Sequence, residues 1–370
     1  MKVQASILMG EGKSWETATL ELDPPQAGEV LVRVVAAGLC HSDEHLRYAS
    51  VRYPIVGGHE GAGVIEAVGP GVSNFEVGDH VAMCVIPSCG ECAFCSQGRS
   101  YLCDLGATIG TGARPDGTYR ARLEDGQDIG GLCLLGTFAD RLVTGVESVV
   151  KIPKDIPLDV AALLSCGVPT GWGSAIYAGN VTAGETVVVV GVGGVGVNSV
   201  QGAALGGASH VIALDPIESR REFALTMGAT HAVATVEEAA HLAQTLSYGT
   251  GADLTIVTAG VVTSDVVDDA FAVTGKGGRI VLTGVADVPS DITVKLSGTM
   301  VTSYGISIIG ALVGNCNPRR DILRLLRLYR EGNLKLDELI TKRYTVDQVS
   351  EAYADQAEGT IIRGVVEHQH

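Results

Sequence analysis

The chain has 370 residues, long for a single core, so two domains are the natural expectation. Glycines number 49 and aromatic residues make up only 5%, which suits an α/β protein with many tight turns. A formal net charge of −16, with no basic block, argues against nucleic acid and against an anionic membrane surface as partners.

In chain order, the opening stretch MKVQASILMGEGK has no apolar core of signal-peptide length, so the expected location is cytoplasmic. Apolar runs between glycines follow, among them GEVLVRVVAAG, GAGVIEAVG and VGDHVAMCV. They predict a compact β-rich domain over the first 155 or so residues. Two long uncharged stretches, 160–184 and 297–315, are broken by Gly, Ser and Thr, and the first also by Pro169. Both read as buried core and not as the roughly 20 apolar residues of a spanning helix.

After Thr182 the pattern changes. ETVVVVGVGGVGVNSVQGAALGGASHVIALD reads as a strand, a glycine turn, a small-residue helix and a second strand ending at Asp215. Further strands are predicted at DLTIVTAG, GRIVLTG and SIIGALVG, with helices at SRREFALTMGA and TVEEAAHLAQTLSY. Strands alternating with helices imply a parallel, doubly wound sheet. NPRRDILRLLRLYREGNL predicts a helix capped by Asn317, with Pro318 first and Ile322, Leu325, Leu326 and Tyr329 on one face. TVDQVSEAYADQAEG opens on a Thr-x-x-Gln capping box and closes at Gly359.

Within CGECAFCSQGRSYLC, Cys89, Cys92, Cys95 and Cys103 fall in fifteen residues. In a cytoplasmic protein such a cluster points to metal or redox chemistry instead of disulfides. An iron–sulfur pattern wants a closer fourth cysteine followed by proline, whereas Cys103 comes after a wide gap and precedes Asp104. Structural zinc is the reading that fits, and a closed four-cysteine site leaves no position for substrate. Chemistry is therefore expected elsewhere in the chain.

Gly191, Gly193 and Gly196 form G-x-G-x-x-G directly after the strand TVVVV, and Asp215 follows nineteen residues after the last glycine. That context is the dinucleotide fingerprint, with the pyrophosphate on the helix N-terminus and the acid on the ribose hydroxyls. Asp215 favours NAD over NADP, while Arg220 and Arg221 weigh the other way. Gly194, Arg220 and Val285 complete the candidate cofactor-binding set contributed by this part of the chain.

The remaining metal-ligating types are scattered. GLCHSDEH supplies Cys40, His41, Asp43 and His45; GGHEGAG supplies His59 and Glu60; LLSCGVPTG supplies Cys166. Each alone is a weak signal, whereas Cys84, Cys133 and Cys316 are isolated and unremarkable.

Taken together these segments resemble the zinc-dependent alcohol dehydrogenases of the medium-chain dehydrogenase/reductase family. The resemblance implies a GroES-like β-rich catalytic domain over 1–167 with a structural-zinc lobe at 89–103. It also implies a Rossmann NAD domain over 168–310 and a C-terminal return to the catalytic domain over 311–370. Cys40, His59 and Cys166 would hold a catalytic zinc, Asp43 would orient His59, and Glu60 would be an outer group or occasional ligand. A zinc-bound alkoxide would pass hydride to NAD while its proton leaves through Ser42 and His45. Thr170 and Val195 would face the nicotinamide, with Arg363 and His41 at the pyrophosphate.

The implied partners are a small alcohol or aldehyde and further copies of the chain, as a homodimer or homotetramer. IPSCGECAFCSQGRSYLCDLGA, LLGTFAD and GNCNPRRDI further resemble the subgroup assayed with N,N-dimethyl-4-nitrosoaniline (NDMA), in which NAD stays bound and an external electron acceptor restores it. The alternatives are a thiol-dependent formaldehyde dehydrogenase, a non-catalytic nucleotide-binding relative and a zinc-free quinone reductase. The complete ligand set disfavours the last two.

Overall fold

A computed structural model of the chain describes residues 1–48, 51–284 and 294–370. These fall into two compact units, Met1–Cys166 with Asn317–His370, and Gly167–Cys316. The return comes at Asn317, six residues after the expected 311, because Cys316 stays in the second unit. There its Sγ donates to the Pro169 carbonyl at 3.3 Å.

Among the described residues, the first unit carries a closed barrel of Lys2–Leu8, Glu16–Leu22, Ala121–Arg122, Asp128–Gly131 and Ile55–Val56. Val3, Ile7, Leu20, Leu22 and Ile129 fill it. A second sheet runs Val149–Ile152, His80–Met83, Ala62–Val68, Glu29–Gly38, Arg363–Glu367 and Ile340–Tyr344, with Arg141–Gly145 also paired to Glu29–Gly38. Its long central strand, EVLVRVVAAG, is rich in β-branched residues, and Val30, Val32 and Val34 are fully buried.

Two helices of the return segment matter below. Pro318–Arg330 starts with its proline in the first turn and buries Ile322, Leu325 and Leu326, while Tyr329 is only half-buried. The Asn317 side chain makes no capping bond; instead the Asn317 N–H donates to Asp321 Oδ2 at 2.7 Å. The Thr345–Gln348 capping box opens a 3₁₀ turn ahead of helix Val349–Glu358, which ends at Gly359 with φ +74°.

The second unit is a parallel sheet in the order His231–Val233, His210–Leu214, Thr186–Val190, Ala252–Val257, Thr274–Leu282 and Ser307–Gly310. TVVVV is buried at every position, as a strand covered on both faces must be. Val188, Ile212, Val257 and Ile280 are in its core. The order reverses between Thr186–Val190 and Ala252–Val257, the switch point where open α/β sheets bind ligands. Among the described residues no helix is long and apolar enough to cross a membrane.

Candidate active site and metal centres

Three neighbouring strands of the first unit share one end, and that end gathers the scattered ligands. The central strand ends at Gly38, two residues before Cys40. Ala62–Val68, paired antiparallel to it, starts just after His59 and Glu60. Arg363 opens the strand on the other flank, where Val365 pairs with Gly38. The Gly38 N–H donates to the Glu60 carbonyl at 3.2 Å and the Leu39 N–H to the Gly364 carbonyl at 3.0 Å, closing the corner. Cys166 arrives from a distant turn, Leu163–Ser165, tied in by the Ser165 hydroxyl, which accepts from the Gly61 N–H at 3.0 Å.

Ligand atoms of Cys40, His59, Glu60 and Cys166 consequently lie within 4.8 Å of one another, largely out of solvent. His59 Nδ1 is 3.1 Å from Asp43 Oδ1, which leaves Nε2 as the metal-facing nitrogen. A hydrogen bond from the Cys166 thiol holds Cys40 well below the ordinary thiol range, while that same bond and burial push Cys166 well above it. Burial would lower His59, but the charges of Asp43 and Cys40 outweigh it and raise the imidazole well above its usual value. Anionic sulfur, shared protons and a proton-hungry imidazole make a donor set that fits a dication, which would displace those protons.

Asp43 is fully buried, and every donor to it is specific. Oδ1 also accepts the Gly58 N–H at 3.0 Å, and Oδ2 accepts the Tyr353 hydroxyl at 2.8 Å. Burial, then the charge of Asp43, pushes the Tyr353 phenol far up, so it stays a donor. Glu60 is paired with Arg363, both buried. Arg363, expected at a pyrophosphate, is paired through one guanidinium nitrogen with the Glu60 carboxylate beside the ligand cluster. Ser42 Oγ lies 3.6 Å from Cys40 Sγ, and the rings of His41 and His45 meet edge to face at 4.9 Å.

The four cysteines of the lobe also bring their sulfurs within 4.8 Å of one another. Cys89 and Cys95 stand 3.8 Å apart, the separation of about 3.8 Å that a tetrahedral ion with Zn–S bonds of about 2.3 Å demands. Backbone N–H groups of Cys92 and Glu91 point at Cys89 Sγ at 3.3 and 3.4 Å, and that of Cys95 at Cys92 Sγ at 3.4 Å. Those donors suit thiolate charge: N–H groups, that of Cys95 foremost, pull Cys92 down to about 6, while burial pushes Cys103 up to about 12. Cys84 and Cys133, each buried, are likewise pushed up to about 12 and are inert thiols.

In the second unit the three glycines of the turn serve different needs. Gly191 has φ +83°, and a Cβ on Gly196 would strike the Gly191 carbonyl. Gly193 has open space around it and an ordinary φ, so neither packing nor backbone strain requires a glycine there. Helix Gly196–Leu205 lacks a side-chain cap at Val195, and the N–H groups of Val197 and Asn198 donate to the carbonyls of Gly193 and Val195, both at 3.0 Å. Gly194 sits in the turn, its carbonyl accepting from Asn198 Nδ2 at 2.9 Å. Asp215 is anchored at the strand end by the N–H groups of Val192 at 3.0 Å and Ile217 at 2.9 Å. Arg220 reaches it at 4.0 Å, while Arg221 is tied to the carbonyls of Asp215 and Pro216. Thr170 is buried, and Trp172, beside it, fills core against Tyr177. Val285 lies outside the described residues.

Sequence reasoning passed over Ser165 and Tyr353. The available signal was a lone hydroxyl on the buried face of helix Val349–Glu358, shared with Val349 and Ala352, since a buried phenol needs a partner.

Residues 26–154 match the family model "Alcohol dehydrogenase GroES-like domain" and residues 194–331 match "Zinc-binding dehydrogenase". The chain is 53% identical to the NDMA-dependent alcohol dehydrogenase of Amycolatopsis methanolica, covering 100% of this chain and 99% of that one. It is 50% identical to putative alcohol dehydrogenase D of Mycobacterium tuberculosis, with 100% of both chains covered. Benzyl alcohol dehydrogenase from Acinetobacter calcoaceticus superposes over 100% of both chains, with a TM-score of 0.91 and 29% identity. Sequence, fold and a paired set of cysteine-rich clusters agree: the chain belongs to the zinc-dependent alcohol dehydrogenases of the medium-chain dehydrogenase/reductase family.

Proposed function

We propose that the chain interconverts an alcohol and its carbonyl compound at Cys40, His59 and Cys166, with NAD as the nucleotide, retained through the cycle and restored by a second substrate. The observation that carries this is the convergence of two sulfurs and one imidazole on a single point, with Asp43 behind the imidazole. Zinc bound there would supply a Lewis acid for the alcohol oxygen, and NAD bound at the glycine turn would supply the hydride acceptor.

The chain's own residues do the rest. Cys40 and Cys166 as thiolates, with neutral His59, would hold the dication and balance its charge. Asp43 fixes the His59 tautomer with Nδ1 protonated. Ser42, beside Cys40, takes the alcohol proton as it gives its own toward His45 and water. Glu60, neutralised by Arg363, brings no net charge to the cluster. In the second unit Gly191, Gly193, Gly194, Val195 and Gly196 would cradle the pyrophosphate. Asp215 would bind the ribose hydroxyls and repel a 2′-phosphate, which supports NAD over NADP. Retention of NAD is supported by the 53%-identical relative's dependence on NDMA. The family resemblance supports a homodimer or homotetramer, which light scattering would distinguish.

The test is to desalt the purified protein, denature it without added cofactor and quantify NAD and NADH per chain. About one equivalent is expected, with alcohol oxidation that needs an added acceptor such as NDMA but no free NAD. No released nucleotide, together with turnover strictly dependent on free NAD, would overturn retention and leave an ordinary dehydrogenase. Formaldehyde with a thiol belongs in the substrate panel, because a hemithioacetal is chemically an alcohol too.

A further inference from the structure

The structure assigns a positioning role to Tyr353: we propose that its hydroxyl, acting through Asp43, fixes the orientation of His59 and so governs how firmly the catalytic zinc is held. The inference rests on the reading of Cys40, His59 and Cys166 as the ligands of that zinc.

Asp43 offers two oxygens, and their loads are unequal. Oδ1 takes the Gly58 N–H at 3.0 Å and His59 Nδ1 at 3.1 Å, whereas the donor to Oδ2 among the described residues is the Tyr353 hydroxyl at 2.8 Å. Two donors on one oxygen restrain that oxygen but leave the other end of the carboxylate to tilt. A third donor on the other oxygen locks the plane. Because Asp43 is 0% exposed, solvent is not positioned to substitute for that donor.

The phenol itself is held rigidly. Its ring is 4% exposed, stacked on Trp15 at 5.9 Å and tilted against Phe138 at 6.3 Å, with Trp15 and Phe138 edge to face at 5.8 Å. Trp15 is fixed in turn at both ends: its Nε1 donates to Glu44 at 2.7 Å, and its carbonyl accepts from Ser350 Oγ at 3.2 Å. Glu44 is the neighbour of Asp43 in helix His41–His45, and Ser350 lies one turn before Tyr353 in helix Val349–Glu358. The two helices are therefore coupled twice, once by the aromatic cluster and once by the Tyr353–Asp43 bond. A phenylalanine would fill the aromatic cluster equally well. Only the hydroxyl reaches the carboxylate, so its presence points to the ligand beyond and not to packing.

The experiment is zinc release from the purified holoenzyme to a chromogenic chelator, followed in time, in wild type, Cys40→Ser, Tyr353→Phe and Asp43→Asn. The phase missing from Cys40→Ser belongs to the catalytic site, and the remaining phase to the four cysteines. In Tyr353→Phe the catalytic phase is expected to be about tenfold faster, the low end of what losing an outer partner of a ligand costs. The four-cysteine phase should be unchanged, and Asp43→Asn should be at least as fast.

Wild-type release from Tyr353→Phe would overturn the role, as would equal acceleration of both phases, which is general loosening. An Asp43→Asn protein that keeps wild-type release would break the link through Asp43 and overturn it too. If Cys40→Ser loses no phase at all, the ligand assignment itself fails, and the role of Tyr353 falls with it for a distinguishable reason.

Discussion

Ser165 grips the backbone of Gly61 through both of its polar groups, accepting the N–H at 3.0 Å and donating to the carbonyl at 3.1 Å. One bond pair thus fastens the residue before Cys166 to the residue after Glu60. The Gly61 carbonyl also accepts the Met83 N–H at 2.9 Å, so it survives loss of the serine, but the Gly61 N–H does not. Ser165→Ala is expected to cost about 1–3 kcal/mol, the penalty of an orphaned buried donor. Denaturant melts would show the stability loss, and metal analysis should show zinc lost selectively from the site that Cys166 serves.

Cys40→Ser tests the ligand cluster directly. Without its thiolate the site keeps one sulfur, one imidazole and the Arg363-paired Glu60 carboxylate, a weakened set from which dialysis should remove zinc. The expected outcome is a fall from two zinc ions to one per chain, with turnover abolished. Nucleotide binding should persist, because the glycine turn belongs to the other unit. Elemental analysis beside an NDMA-coupled assay settles it. Wild-type zinc content and rate would remove Cys40 from the site.

The signals legible in the sequence were those with short-range spacing. Cys89 to Cys103 and the turn from Gly191 to Gly196 declare themselves within fifteen residues, because metal and phosphate geometry fix the intervals locally. Cys40, His59 and Cys166 required a family resemblance, since the strand corner that unites them is a property of pairing and not of spacing. Beyond Asp43 behind His59, the partners of the site were not legible. Glu60 meets Arg363 across 303 residues and Asp43 meets Tyr353 across 310. The only local sign at Tyr353 is a hydroxyl on a buried helix face, which says that a partner exists and not which one. Asn317 does stand at the N-cap of its helix, but the bond made there is its own N–H to the Asp321 carboxylate one turn on, and not one to its side chain.

The glycine turn separates structural from ligand demands. A Cβ on Gly196 would collide with the Gly191 carbonyl, so Gly196→Ala should lower the thermal midpoint of the protein. At Gly193 the space is open and φ is ordinary, so Gly193→Ala should fold with wild-type stability. Its methyl group would instead stand where the pyrophosphate approaches, and NAD affinity should fall by about tenfold or more, about 1.4 kcal/mol. Differential scanning with and without NAD resolves the two variants. Equal NAD affinity in Gly193→Ala and wild type would place the cofactor elsewhere.

The relay assignment makes a pH-specific claim. His45 sits half-buried at the end of helix His41–His45, against His41. With the imidazole gone, the alcohol proton must pass directly to water or buffer. His45→Ala should therefore slow alcohol oxidation about tenfold near pH 6 to 7 and much less near pH 9, where solvent base competes. A pH–rate profile parallel to wild type at every pH would exclude His45 from proton transfer.

His368 provides a pH dependence of stability apart from the site. Burial pushes it down to about 4, against the opposing pull of the Thr137 carbonyl, which its Nε2 meets at 2.9 Å. The imidazole is neutral in the folded chain, but in the unfolded chain it binds a proton below pH 6.5 or so. Between those two values the unfolded state holds the extra proton, so stability falls as pH falls, by about 1.4 kcal/mol per unit. Above about 6.5 the effect is absent. Going from pH 6.5 to 5 should therefore cost wild type about 2 kcal/mol through this one group. His368→Asn keeps a donor near Thr137 but cannot titrate, so its denaturant midpoint should be flatter over the same interval. Identical slopes for the two proteins would show that His368 protonates without leaving its place beside Thr137.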